Sequence, residues 1–287
     1  MRGIIIKGIA GFYYVKTEDE IYETKARGVF RKRNITPMVG DNVKISRTGD
    51  EWTIVEVEER FSELKRPFVS NVTQAFVVFS LKNPDINYEL LNKFIIMLEK
   101  SHIKPILIFN KTDIGDQKTI DYIEEMFIGT GYTIKYISAK KQEDLNEISG
   151  FLKDNITVLC GPSGAGKSTI LNNILGEYYM ETGGLSKKHG RGKHTTRHSE
   201  LVEVKEGLIL DTPGFSNMDI KLDPLELKNY FVEFNKYEGE CRFNGCVHDQ
   251  EPGCKVKEQV GETISKERYD YYVKFLDKLR EEYKRKW

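Results

Sequence analysis

The sequence predicts an α/β protein whose central strand–helix domain is flanked by a small β-barrel and by a helical, cysteine-bearing module. Three observations predict it. Residues 1–66 hold short β-patterned runs separated by turn residues. From about residue 69 to 218, apolar strand runs alternate with helix-periodic runs, the pattern of a sheet with helices on both faces. Residues 223–287 place three cysteines and a histidine ahead of a long segment with helical apolar spacing. These shifts set the expected boundaries at 1–66, 67–222 and 223–287.

In the first region the runs are GIIIKGIAGFYYVKT, EIYETKARGVF, VGDNVKIS and EWTIVEVEE, with Gly, Asp, Asn and Pro between them. Four or five short strands in about 65 residues suit a closed barrel such as the OB-fold; an SH3-like barrel leaves the same trace. In the second region QAFVVFSL, KPILIFN, YTIKYIS and ITVLC read as strands, each followed by a helical pattern, and ELVEV and GLILD as a strand pair. In the third, PLELKNYF reads as a helix, and Tyr272, Phe275, Leu276 and Leu279 form the packing stripe of a long one.

Composition narrows the function classes. The chain has 287 residues, 39% of them hydrophobic and 31% charged, with Lys plus Arg equal to Asp plus Glu at 44 each. Net charge therefore carries no signal for nucleic acid; only local basic clusters do. Apolar runs such as FIIMLE and AFVVFSL fall far short of the ~20 residues of a membrane span. Lys7 interrupts the first apolar run, so no secretory leader is expected. The expectation is a cytoplasmic monomer with no membrane association and with reduced cysteines.

GPSGAGKST, residues Gly161, Pro162, Ser163, Gly164, Ala165, Gly166, Lys167, Ser168 and Thr169, matches G-x-x-x-x-G-K-[ST] between a strand and a helix. Glycines let main-chain N–H groups converge on an anion, and the helix start adds unpaired donors. Lys167 is expected on the β- and γ-phosphates, and the Ser168 hydroxyl on Mg²⁺. The loop alone does not choose GTP over ATP.

The base choice falls to NKTD: Asn110, Lys111, Thr112 and Asp113. A carboxylate at 113 accepts two hydrogen bonds from the N1–H and amine of guanine, whereas adenine would leave it unpaired. SAK, residues Ser138, Ala139 and Lys140, follows the next strand, and the Ala139 N–H is expected on guanine O6. In DTPGF, Asp211 is placed to hold Mg²⁺ through water and Gly214 to meet the γ-phosphate; Phe215 cannot orient a water as a glutamine would. The basic loop of residues 183–200 supplies Thr195 or Thr196 as a further Mg²⁺ ligand and His194 as a candidate catalytic, water-orienting group.

The motif order is base reader, SAK, phosphate loop, basic loop, DTPG: a GTP-binding domain whose chain is circularly permuted. Its consequence is a new exit, because the chain after DTPGF runs directly into the C-terminal module. CRFNGCVHDQEPGC reads C-x₄-C-x-H-x₅-C, and Cys241, Cys246, His248 and Cys254 supply the closed tetrahedral set of one structural Zn²⁺.

With these motifs the chain resembles the ribosome small-subunit-dependent GTPase A family along essentially its whole length. The resemblance implies a P-loop GTPase domain between an N-terminal OB-fold and a C-terminal zinc-binding domain. It implies a GTP hydrolase, using Mg²⁺ with GTP, that is stimulated by the small ribosomal subunit and acts late in that subunit's maturation. Partners implied are the subunit with its rRNA, and GTP/GDP. Beside it stand a nucleotide-gated RNA-binding protein or chaperone with incidental hydrolysis, and a P-loop kinase or ATPase. In the barrel, Lys25, Arg27, Arg31, Lys32 and Arg33 around Phe30 are candidates for an RNA groove with a stacking aromatic, or for a solvated charged edge; the tail 284–286 adds basic residues.

Overall fold

The computed structural model describes residues 1–28, 30, 35–65, 67–181, 199–211 and 221–285, with main chain alone at 177–181 and 211. Five strands open the chain: β1 (Arg2–Ile9), β2 (Phe12–Lys16), β3 (Ile21–Ala26), β4 (Asn42–Thr48) and β5 (Glu51–Val57). They pair in the ring β1-β2-β3-β5-β4-β1, antiparallel except for β3–β5. This is a closed Greek-key barrel of OB type. Ile5, Val15, Val43, Ile45 and Ile54 point inward and fill it. The run read as one long segment is a hairpin, because Ala10 and Gly11 both take positive φ (49° and 88°), as a two-residue turn matched to strand twist requires.

Phe30 contradicts the expectation of a stacking aromatic: it is only 5% exposed and belongs to the core. An aromatic inside basic residues packs inward when the core needs its area, and the pattern KARGVFRKR does not reveal which face it takes. Arg31, Lys32 and Arg33 lie outside the described residues. A short hairpin, β6 (Glu63–Lys65) with β7 (Phe68–Ser70), leads onward. Buried Asp41 joins it to the barrel, accepting from Arg60 Nε (2.6 Å), Arg60 Nη2 (2.8 Å) and Ser70 Oγ (2.6 Å).

The central sheet holds β8 (Gln74–Ser80), β9 (Lys104–Asn110), β10 (Thr133–Ile137), β11 (Ile156–Cys160), β12 (Glu200–Val204) and β13 (Gly207–Asp211) in the order β10-β9-β8-β11-β13-β12. All are parallel except β12. Helices α1 (Tyr88–Lys100) and α2 (Gln117–Met126) cover one face, against Val77, Phe79, Leu107 and Phe109. Helices α3 (Gln142–Ser149) and α4 (Lys167–Glu181) cover the other, against Phe76, Val78, Ile106 and Ile108. Burial on both faces is why β8 and β9 read as unbroken apolar runs. The helices after β8 and β11 leave to opposite faces, so a crevice opens at the carboxyl ends of these adjacent strands, where ligands of such sheets bind.

One pairing was not visible in the sequence. Edge strand β12 pairs antiparallel with barrel strand β1 at Lys7 and Glu200, making an eleven-stranded sheet that runs through both domains. Lys7 donates to Glu200 at 2.8 Å, and Lys16 pairs with Glu203.

In the C-terminal module PLELKNYF is not an α-helix. Pro224–Tyr230 and Val232–Tyr237 are 3₁₀ segments, broken at Phe231, whose φ of −109° and ψ of 86° are not helical. The tighter period sets Pro224 and Leu227 on one buried side. Short α5 (Lys255–Glu258) and long α6 (Lys266–Lys284) follow. The expected stripe Tyr272, Phe275, Leu276 and Leu279 is buried, joined by Arg268 at 0% exposure. Arg268 makes a two-pronged ion pair with Glu233 (2.8 and 3.0 Å), donates to Asn92 of α1, and lies over Phe231 and Phe127 at 4.7 and 5.5 Å. It thus pins the module to the central domain's α1–α2 face. Arg268→Ala leaves Glu233 charged and unpaired, so urea unfolding should show a loss of about 3–5 kcal/mol. Replacing both partners by apolar residues of similar volume should cost far less. Among the described residues no helix is long and apolar enough to cross a membrane.

Candidate functional site

The phosphate loop leaves β11 at the sheet's central switch point and enters α4. Gly161 sits at φ 132°, and a Cβ there would fall 2.0 Å from the Val78 carbonyl oxygen of the neighbouring strand. Gly166 sits at φ 99°, and a Cβ there would fall 2.2 Å from Asn110 Nδ2. The close packing of Asn110 therefore demands glycine at 166. Ala165 is buried beneath the loop, while Ser163, Gly164, Ser168 and Thr169 are exposed along it and Pro162 is half-buried. Lys167 Nζ donates to the carbonyls of Gly161 (2.8 Å) and Pro162 (2.6 Å). Burial pushes its pKa down, and a phosphate beside it would oppose that shift.

Asn110 ends β9 at 3% exposure and ties the two halves of the site together. Its Nδ2 donates to the Ala165 carbonyl at 2.9 Å, although the residues are 55 apart in sequence. Its Oδ1 accepts from the N–H of Lys111 (2.8 Å) and of Ala139 (2.9 Å). The Ala139 N–H, the group expected on guanine O6, is thus also the one that Asn110 holds. Lys111 takes a positive φ of 67° and places Nζ on the Asn83 carbonyl; the Thr112 N–H bonds the Ile137 carbonyl at 3.1 Å.

Asp113 presents its carboxylate between Ser138 Oγ, 3.1 Å from Oδ1, and Lys140 Nζ, 2.7 Å from Oδ2. The Lys140 hydrogen bond first, and that of Ser138 after it, hold the carboxyl below the usual carboxylate range. The group is therefore an acceptor-only anion at neutral pH, as reading two guanine donors requires. Asp211 closes β13, the strand beside β11, so its main chain lies at the same edge of the sheet. His194, Thr195, Thr196, Gly214 and Phe215 lie outside the described residues, as does the Asp211 side chain.

Sequence reasoning missed two supports of this site. Asp144 Oδ2 accepts the Ser138 N–H at 2.7 Å, and Asn173 Nδ2 donates to the Ala139 carbonyl at 2.9 Å. Neither lies in a motif, so spacing offered no signal for them.

A second cluster lies in the C-terminal module. The ligand atoms of Cys241, Cys246, His248 and Cys254 all fall within 4.8 Å of one another. His248 Nδ1 stands 3.6 Å from Cys241 Sγ and 3.4 Å from Cys254 Sγ, and those two sulfurs are 3.9 Å apart. A tetrahedron with zinc–ligand lengths has edges of about 3.8 Å between sulfurs and about 3.6 Å from sulfur to nitrogen. The donor set fits Zn²⁺. Burial lowers the His248 pKa, which suits a neutral imidazole ligand. The loop is tied to α6 and the 3₁₀ turn: Tyr269 Oη donates to the His248 carbonyl (2.8 Å), Tyr272 Oη to that of Val247, and Lys228 Nζ to that of Cys246 (3.0 Å).

The family model described as RsgA GTPase matches residues 57–221, more than half the chain, and that of the RsgA N-terminal domain matches residues 2–55. The chain belongs to the RsgA GTPase family. A relative from Clostridium novyi, named small ribosomal subunit biogenesis GTPase RsgA, is 52% identical, covering 100% of both chains. A relative of the same name from Clostridium acetobutylicum is 52% identical over 97% of this chain and 98% of its own. The crystal structure of YloQ, described as a circularly permuted GTPase, superposes with a TM-score of 0.84 at 37% identity, covering 98% of this chain and 95% of its own. That of YjeQ from Thermotoga maritima gives 0.82 at 32% identity, covering 97% and 98%. RsgA membership makes the chain a GTPase and agrees with the permuted order read from its motifs.

Proposed function

We propose that this GTPase binds the small ribosomal subunit, assists its late maturation in the cytoplasm, and hydrolyses GTP when the subunit stimulates it. The observation that carries the chemistry is the bond from Asn110 to the Ala165 carbonyl, which sets the base reader and the phosphate loop in one crevice. The curated relatives' names support the ribosomal role. In this reading residues 161–169 hold the phosphates, residues 110–113 and 138–140 hold guanine, and Ser168 with Thr195 or Thr196 holds Mg²⁺, with Asp211 acting through water. Gly214 meets the γ-phosphate, and Cys241, Cys246, His248 and Cys254 bind one structural Zn²⁺. Bound Mg²⁺ neutralises charge developing on the phosphates.

The barrel and the basic loop are the proposed rRNA contacts. With Phe30 in the core, Phe12 is an exposed aromatic of the barrel among the described residues, with Lys25 Nζ 5.4 Å from its ring centroid. Basic side chains and an open ring are what single-stranded nucleic acid stacks on, and binding should weaken steeply with salt.

The test is GTP turnover with and without small subunits. Strong stimulation is expected; an unchanged rate would favour the nucleotide-gated RNA-binding reading. His194→Ala is expected to keep GDP affinity and lose the stimulated rate, because Phe215 cannot position water. Undiminished stimulation would remove His194 from the mechanism.

A further inference from the structure

We infer that Asn173 and Asp144, two residues outside every nucleotide motif of the chain, are positioning residues that set how sharply the site distinguishes guanine from other purines. The inference rests on the guanine site proposed above and deepens it. Ser138 and Lys140 hold the two carboxylate oxygens of Asp113, so wherever the loop of residues 138–140 stands, Asp113 is aimed accordingly. That loop has no helix or strand of its own. Two side chains fix it from outside.

Asp144, in the first turn of α3, accepts the Ser138 N–H at 2.7 Å and so sets the backbone from which the Ser138 hydroxyl reaches Asp113. The Ala139 residue is clamped at both its polar groups: the N–H by Asn110 Oδ1 and the carbonyl by Asn173 Nδ2, each at 2.9 Å. Ala139 is 5% exposed, so water does not readily replace a lost partner. Asn173 stands six residues beyond Lys167, on the helix that begins at the phosphate loop. Its bond therefore fixes the base-reading loop relative to the phosphate site. A guanine whose phosphates are seated then finds Asp113 at one distance and angle, and its two donors are read together.

Removing either support should blur Asp113 without disturbing the phosphate loop. Asn173 is exposed and Asp144 half-buried, so the hydrophobic core stays intact in the variants. The test is calorimetry on the full chain with Mg²⁺, using GDP, inosine diphosphate (which lacks the 2-amino group) and pyrophosphate. Asn173→Ala and Asp144→Ala should each weaken GDP about five- to tenfold, the scale of one hydrogen bond, and narrow the preference for GDP over inosine diphosphate. Pyrophosphate affinity should hold. Asp144→Asn keeps an accepting oxygen and should restore the preference. An unchanged GDP-to-inosine-diphosphate ratio in both alanine variants, or a parallel loss of pyrophosphate, would overturn the inference. A wild-type chain that binds ADP as well as GDP would instead overturn the guanine site itself.

Discussion

Asp113→Asn is expected to lose GDP binding by roughly 10⁴-fold and to gain xanthosine diphosphate in its place. The carboxylate is acceptor-only, and guanine offers it two donors, N1–H and the 2-amino group. An amide turns one of those acceptors into a donor, so one guanine donor faces an N–H and is left unpaired in the site. Xanthine carries a carbonyl at C2 and matches the amide. The surroundings favour a clean exchange: the Ser138 hydroxyl, 3.1 Å from Asp113 Oδ1, can donate or accept, whereas the Lys140 ion pair is lost. Calorimetric titration of both nucleotides checks this. GDP affinity within about tenfold of wild type would mean that guanine is read elsewhere.

Removing zinc should unfold much of the C-terminal module. Cys246 and Cys254 are buried in the module's core with Phe234, Tyr272 and Leu276, so the cluster is part of that core. Burial pushes the Cys246 thiol up to about 12, and the field of a bound divalent cation would invert that tendency and hold the thiolate. Zinc binding in small fingers is worth about 10–16 kcal/mol. Here α6 is also held through Arg268, so part of the module should outlast the metal. The expected result is one zinc per chain by elemental analysis, and loss of amide protection in residues 223–258 on chelation or in Cys254→Ser. Protein that carries no zinc, or a Cys254→Ser variant with unchanged melting and exchange, would refute the structural zinc site.

The circular permutation has a structural counterpart in the two flanking attachments. The chain enters the central sheet at β8 from the barrel and leaves it after β13 toward the module. The exit read from the motif order leads only to the C-terminal module. The β1–β12 pairing joins the barrel to the central sheet as well, at Glu200, the last residue of the basic 183–200 stretch and the first of β12.

What the sequence by itself determined is whatever a short window encodes. The phosphate loop, NKTD, SAK and the cysteine spacing are local chemistry, and each stands at the strand end or turn expected of it. The unbroken apolar runs of β8 and β9 and the stripe on α6 follow from burial repeated at a fixed period. Tertiary structure alone decided where Phe30 points, how β12 meets the barrel, why an arginine sits inside the α6 stripe, and which side chains hold loop 138–140. Each of those depends on a partner far along the chain: Glu200 for Lys7, Asn92 and Glu233 for Arg268, Asn173 for Ala139. A polar residue carries no periodic mark of its partner, so only the packed chain discloses it.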